Sequence, residues 1–323
     1  MLGDWFLSCI FLFKYAYGYI IFDSIICYYT IMLTNIGQTT ESKPKSSFFK
    51  NAFNLIIVLL IAVTLGMWIG VHVNGTTEAN LNYYFSLMLG LLPFVASFKG
   101  FLAAKKWGGF SSVLGRSIAA LSAGLFFWGA GELVWSYYNL VIHQAAPYPS
   151  VADILFVPGF IFWIMSSLFL LKLAGVSLVL KKRPILWWLV GILLIGGTAL
   201  SYYLLVYLAR GNVLLTDSAN PTKVFLDIYY PLADFISFTL VTIIVAVSGK
   251  YIGGKLKMPI FLVMFGLAIM YIGDIVFGYT TTKGTFYNGS RGDLILLLGI
   301  SVLSIAVLKY AEAAPKLTGQ GEG

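Results

Sequence analysis

Residues 117–140 read SIAALSAGLFFWGAGELVWSYYNL, twenty-four positions with one charge, Glu132, toward the far end. About twenty consecutive apolar residues are enough for a helix to cross a hydrocarbon core of roughly 30 Å. In lipid the backbone must satisfy its own polar groups, and a helix does so within one segment. Seven further runs of this kind follow or precede it: residues 53–73, 83–103, 154–173, 186–209, 224–248, 260–279 and 294–308. Their internal Gly, Pro and Ser are compatible with helices in a bilayer. Composition points the same way. Of 323 residues, 59% are hydrophobic and 11% are charged, against about 25% charged in a soluble domain; mean hydropathy is +0.88. The expected fold is all-α, a polytopic membrane helix bundle with eight core spans.

The net charge of +8 is spread through short connections between spans, so it points to orientation and not to a nucleic-acid partner. One set of connections holds Lys43, Lys45, Lys50, Lys99, Lys105, Lys106, Arg116, Lys172, Lys181, Lys182, Arg183, Lys250, Lys255, Lys257, Lys309 and Lys316. The opposite set holds only Arg210, Lys223, Lys283 and Arg291. Cytoplasmic loops carry the excess of Lys and Arg. The basic end is therefore expected inside a cell membrane, with the C-terminus cytoplasmic. Asn74-Gly75-Thr76 and Asn288-Gly289-Ser290 match the glycosylation pattern, and both fall on the expected outer side.

Residues 1–52 form an apolar segment and a basic linker. Trp5–Leu33 is apolar enough for a ninth span, yet it contains Lys14 and Asp23, each costing about 2.5–3.5 kcal/mol at a helix centre. A ninth span, an uncleaved signal anchor and a true start at Met32 remain open. Cys9 and Cys27 are the two cysteines, too few for a disulfide framework or a metal knuckle.

The body appears twice over. Gly131-Glu132-Leu133-Val134-Trp135-Ser136-Tyr137 ends the third span, and Gly273-Asp274-Ile275-Val276-Phe277-Gly278-Tyr279 ends the seventh. Ala152-Asp153 opens the fourth and Gly292-Asp293 the eighth; Tyr83-Tyr84 matches Tyr229-Tyr230; Lys105 before Gly108-Gly109 matches Lys250 before Gly253-Gly254. The expected organisation is a four-helix repeat over 53–183, a second over 184–311, and a tail over 312–323. An even-span unit repeated in tandem keeps its orientation, which gives a pseudo-twofold axis along the membrane normal.

The acidic residues gather at the other end from the basic ones. Glu132, Asp153, Asp227, Asp234, Asp274 and Asp293 all fall in the outer half. Asp227 and Asp234, seven residues apart, share a helix face with Tyr230 between them, and Pro231 removes a backbone donor nearby. An ionisable residue within a span normally faces the bundle interior and marks a functional site. With Trp135, Tyr230 and Tyr279, and with Trp128 and Tyr229 beside them, these carboxylates outline an acidic, aromatic-lined cleft for a proton, cation or amine; aromatic faces favour an organic cation. The structural readings stand next to this one. Asp153 and Asp293 can serve as helix caps, Glu132 and Asp274 as partners across the repeat interface, and the Tyr and Trp residues as an interfacial belt. His143 reads as a loop surface residue. No phosphate loop, zinc motif, nucleophile elbow or cofactor-binding motif occurs, and Lys309 lies too near the helix end to hold a retinal.

Gly131-Glu132, Trp135 and Tyr138, then Pro147-Tyr148-Pro149-Ser150-Val151-Ala152-Asp153, then Phe156 and Gly159 resemble the multi-span membrane regions at the N-terminus of prokaryotic signalling proteins. Asp227, Tyr230-Pro231-Leu232 and Asp234 are similar to a second motif of that group. There such regions precede diguanylate cyclase, phosphodiesterase or histidine kinase modules. The resemblance implies a sensory role without catalytic residues. About fifteen residues follow Leu308, so the expectation is output through a separate cytoplasmic signalling protein. The reading is a sensory or ligand-binding membrane module, not an enzyme, with the bilayer as its surroundings and a small molecule or cation as ligand. A secondary transporter using the same carboxylates is the alternative; an enzyme acting on lipid comes third.

Overall fold

Eight long helices carry the chain back and forth, in a computed structural model that describes residues 52–175, 185–212, 220–248 and 254–314. They are α1 (Ala52–Asn74), α2 (Asn80–Lys106), α3 (Val113–Leu140), α4 (Asp153–Leu173), α5 (Ile185–Tyr202), α6 (Pro221–Ser248), α7 (Lys257–Thr282) and α8 (Arg291–Ala313). Each matches an apolar run of the sequence, and all but α5, which stops at Tyr202, extend it by up to a few residues. α5 runs on into a π-helical turn, Tyr203–Leu208. All eight contain a window long and apolar enough to cross a membrane. The first fifty-one residues, with Lys14, Asp23 and both cysteines, lie outside the described residues, as do Lys181, Lys182, Arg183, Lys250 and the tail beyond Ala314.

Six of the helices close a ring: α2 packs on α3, α3 on α4, α4 on α6, α6 on α7, α7 on α8, and α8 returns to α2. α1 lies outside it against α2 and α8, and α5 lies outside it against α6. Burial follows from this placement. Within their spanning windows, 67% of α8 and 61% of α3 are buried, but only 17% of α1 and 11% of α5. Leu55, Ile56, Leu59 and Ile69 on α1 and Trp188, Ile192 and Ile195 on α5 are exposed, a surface suited to lipid tails and not to water.

Lipid chains are as apolar as Leu, so helices in a membrane associate through close packing and interhelical hydrogen bonds. Both devices occur. At the α2–α3 crossing the backbones meet at Gly90 and Gly129: a Cβ on Gly129 would sit 2.7 Å from Phe94 N and 2.8 Å from Gly90 O. Between α3 and α4 the hydroxyls of Ser117 and Ser166 each donate to the other's carbonyl, at 3.0 and 2.9 Å. Toward the basic end the ring is filled by Ile118, Leu121, Leu125, Ile300, Leu303 and Val307, all essentially inaccessible.

Gly129→Ala is expected to lower the thermal midpoint in detergent through overpacking of about 1–3 kcal/mol. Gly66→Ala, whose Cβ would meet nothing within 4 Å, is expected to leave it unchanged. Indistinguishable midpoints for the two variants would remove the close backbone contact from the account of stability.

Candidate functional site

On α3, Trp128, Glu132 and Trp135 follow a 4-then-3 spacing, which stacks them along one helix face. That face looks into the ring. Glu132 lies eight residues before the end of α3 and Asp274 eight before the end of α7, so each carboxyl is about 12 Å along its helix from the terminus. α4 and α8 begin at the same end and bring Asp153 and Asp293 in their first turns. The result is one cavity lined by Glu132, Asp153, Asp274 and Asp293, with Trp128, Trp135, Tyr148, Phe156, Phe160, Tyr230, Phe277 and Phe286 around them. Ser86 and Asn288 add neutral polar groups. The space open to the centre of a water molecule is about 40 Å³.

Asp153 and Asp293 cap helices and line the cavity together. Asp153 Oδ2 accepts from the Ser150 backbone N at 2.6 Å. Asp293 Oδ2 accepts from the backbone N of Gly289 at 2.6 Å and of Ser290 at 3.2 Å. Each carboxylate satisfies backbone donors at a helix start and complements the positive dipole end. The other oxygen of Asp153 receives the Tyr230 hydroxyl at 2.5 Å, which ties α6 to α4. Glu132 Oε2 accepts from Ser86 Oγ at 3.1 Å, and Ser136 Oγ donates in turn to Ser86 at 3.4 Å.

Asp227 and Asp234 share the α6 face that meets α7, as their spacing predicts, but their environments are opposite. Asp227 is fully engaged. Arg210 and Lys223 both reach its Oδ2, the lysine at 2.9 Å; Thr282 donates to the same oxygen at 3.4 Å and Tyr148 to Oδ1 at 2.7 Å. Burial and the adjacent Asp227 charge push the Tyr148 phenol far above its ordinary value, so it remains a donor. Asp234, completely inaccessible, meets the Asp274 carboxyl, which lies against it, and its oxygens have no other partner; Asp274 Oδ2 is likewise without another partner. Thirteen residues into α6, Asp234 is about 20 Å along that helix, the deepest of the carboxyls and just behind the cavity wall.

Seven of the sequence candidates thus meet at the cavity: Glu132, Asp153, Asp274, Asp293, Trp128, Trp135 and Tyr230. Asp227 stands apart in its ion-paired cluster, and Tyr279 is exposed at 36%, because its position on α7 turns it outward. Tyr229 donates to the Val157 carbonyl at 3.0 Å and does not line the cavity. Tyr84 is exposed at 48% and Tyr230 buried at 5%, so the two matched tyrosine pairs do not occupy like places. Asn288 is a lining residue that its glycosylation pattern concealed: its Oδ1 accepts from the Trp135 indole at 3.0 Å, and its carbonyl from Asn82 at 2.7 Å. Ser86 and Phe286 carried no sequence signal. His143 is exposed in the α3–α4 loop with φ 56°.

Eight apolar helices around buried carboxyls define a multi-pass membrane protein. Comparison of the chain with protein families, with curated proteins and with solved structures finds no match.

Two substitutions separate the roles of the α6 carboxylates. Asp227→Asn strands the buried Arg210 and the partly buried Lys223 and is expected to cost about 3 kcal/mol or more. Asp234→Asn supplies a donor to Asp274 and is expected to raise stability by about 1 kcal/mol. Thermal unfolding in detergent reads both; a fall for Asp234→Asn comparable with that for Asp227→Asn would make Asp234 an ordinary structural residue.

Proposed function

We propose that this protein is a membrane sensory module that binds a proton or a small inorganic cation in the acidic cavity. The observation that carries the reading is the convergence of Glu132, Asp153, Asp274 and Asp293 from four helices on one space of about 40 Å³. Four carboxyls at such range repel one another unless protons, donors or a cation intervene. The volume narrows the ligand. A cavity needs about 10–15 Å³ of this measure for one water, and an engineered 150 Å³ cavity takes benzene, so this one accepts a few waters or a bare monovalent ion, not a quaternary amine. The organic cation suggested by the aromatic lining is accordingly set aside: those rings pack edge-to-face on one another, as Trp135 does on Phe277 and Phe286.

The apolar filling toward the basic end favours a sensor over a carrier, since a carrier's site must open alternately to both sides. The bias of Lys and Arg to one end supports a cytoplasmic basic end and an outward-facing cavity. The resemblance of residues 131–159 to membrane sensor regions supports a sensory role. The matched motifs of the two halves, together with the α4–α6 and α8–α2 contacts that close the ring, support a duplicated four-helix unit. One observation favours a second reading, proton-coupled transport: Asp234 and Asp274 face each other in the interior without other donors on their open oxygens, an arrangement in which a single shared proton relieves two groups.

Thermal unfolding of the purified protein, titrated with Na⁺, K⁺, NH₄⁺ and choline at constant ionic strength and at several pH values, tests the proposal. A ligand that binds only the folded state stabilises it by about 2.7 kcal/mol at a hundred times its dissociation constant. A shift from protons or a small cation, absent with choline and lost in Glu132→Gln, is expected. No shift from any of them, or one untouched by Glu132→Gln, would end the cavity hypothesis. Solute-driven proton uptake into liposomes that disappears in Asp234→Asn would replace sensing by transport.

A further inference from the structure

A second cavity lies at the opposite end of the bundle. It is bounded by the start of α1 and the ends of α2 and α8, and holds about 500 Å³, more than ten times the acidic cavity. Lys99, Lys105 and Lys106 line it from α2, Asn54 from α1, and Leu308, Ala311 and Glu312 from α8. Its lining carries three lysines and one carboxylate, Glu312, whose charge also reaches Lys99. Glu312 is held by Lys309 at 3.0 Å, and among the described residues no carboxylate forms an ion pair with Lys99, Lys105 or Lys106. The Lys99 ammonium is propped over the Phe53 ring, 5.5 Å from its centroid. The walls are fixed to each other: the Trp107 indole just beyond α2 donates to the Tyr310 carbonyl of α8 at 2.9 Å.

A second observation points into the same space. Asn54 is 97% buried, being 3% exposed, and its amide nitrogen donates to Glu312 Oε1 at 3.4 Å. That contact sets the amide orientation and leaves Oδ1 buried with no donor. A buried acceptor without a partner is costly; Asn54 lines the cavity, and a donor there reaches Oδ1 once the Asn54 side chain turns toward it. One flank is open to lipid, since Leu102 on the cavity wall is 57% exposed. The first turn of α1 presents the positive end of its dipole here. The carbonyls that end α2 are partly covered by the backbone N of Trp107 and Gly108.

We propose that this groove binds an anionic phospholipid whose head group carries hydroxyls, of the phosphatidylglycerol type. Its phosphate meets Lys99, Lys105 and Lys106, a head-group hydroxyl donates to Asn54 Oδ1, and an acyl chain lies along Leu102. Basic pockets between spans are where such head groups lodge. The site is separate from the acidic cavity and does not depend on the sensing proposal.

The test is the thermal midpoint of the full chain in neutral detergent, titrated with dioctanoyl phosphatidylglycerol, dioctanoyl phosphatidylcholine, dioctanoyl phosphatidylmethanol and inorganic phosphate. Phosphatidylglycerol is expected to give a saturable rise that phosphatidylcholine does not. Joint Lys105→Gln and Lys106→Gln substitution is expected to weaken it about tenfold or more. Asn54→Leu is expected to bring phosphatidylglycerol down to the affinity of phosphatidylmethanol, which lacks the hydroxyls. Gel filtration and unchanged helicity establish that each variant is folded. Equal response to phosphatidylcholine, or full affinity in the folded double-lysine variant, would overturn the proposal. A response to inorganic phosphate as strong as to the lipid would assign the groove to the free ion and overturn the lipid.

Discussion

A carboxyl group carried into a bilayer has to find donors, counter-charges, protons or water inside the bundle, and the rest of this structure is arranged around that constraint. Besides Glu312, six acidic side chains sit within apolar helices, and they resolve it in four ways. Asp227 recruits two cations and two hydroxyls. Asp153 and Asp293 take backbone N–H groups at helix starts. Glu132 takes a serine. Asp234 and Asp274 have only each other on their open oxygens. The six-helix ring follows from these needs as well as from packing, because donors and acceptors come from different helices: Tyr230 of α6 reaches Asp153 of α4, and Ser86 of α2 reaches Glu132 of α3.

The degree of satisfaction separates scaffold from site. Asp227 leaves nothing over for a guest; it ties α6, α7 and the α3–α4 loop around the rim through Thr282 and Tyr148. Asp153 and Asp293 stand between, with one oxygen spent on capping and the carboxyl still facing the cavity. Asp234 lies at the far extreme. Natural proteins retain a destabilising group where its removal would cost function, and among the buried acids here Asp234 contributes least to the fold that surrounds it. The acids thus run from a saturated cluster beside the cavity to a carboxyl behind its wall that has only another acid for company.

The spans were legible because hydrocarbon imposes length and composition on every one of them, and residues 117–140 alone carry the argument. So was the gathering of carboxyls at one end, since alternating spans place Glu132, Asp153, Asp274 and Asp293 at like depth. Partners were not legible. The seven-residue spacing of Asp227 and Asp234 correctly put both on one face, yet the first meets Arg210 from the end of α5, contributed by a helix outside the ring, and the second meets another acid. Periodicity reports which way a side chain points and is silent on what stands opposite. Asn288 shows the same limit: a local pattern assigned it to a glycan, while the Trp135 indole some 153 positions earlier in the chain occupies its oxygen.

Under the proposed reading, size decides between ligands where chemistry does not. Aromatic rings around carboxyls are the natural enclosure for an organic cation, and residue types alone lead there. In the folded chain the rings are consumed by one another: Phe160 stacks on Tyr230 at 4.9 Å and Phe277 meets Phe286 at 5.0 Å. What they leave is a space of about 40 Å³, and their role becomes exclusion, lowering the local dielectric so that each carboxyl feels its neighbours more strongly. A charge that enters or leaves such a space changes the repulsion among four helices at once.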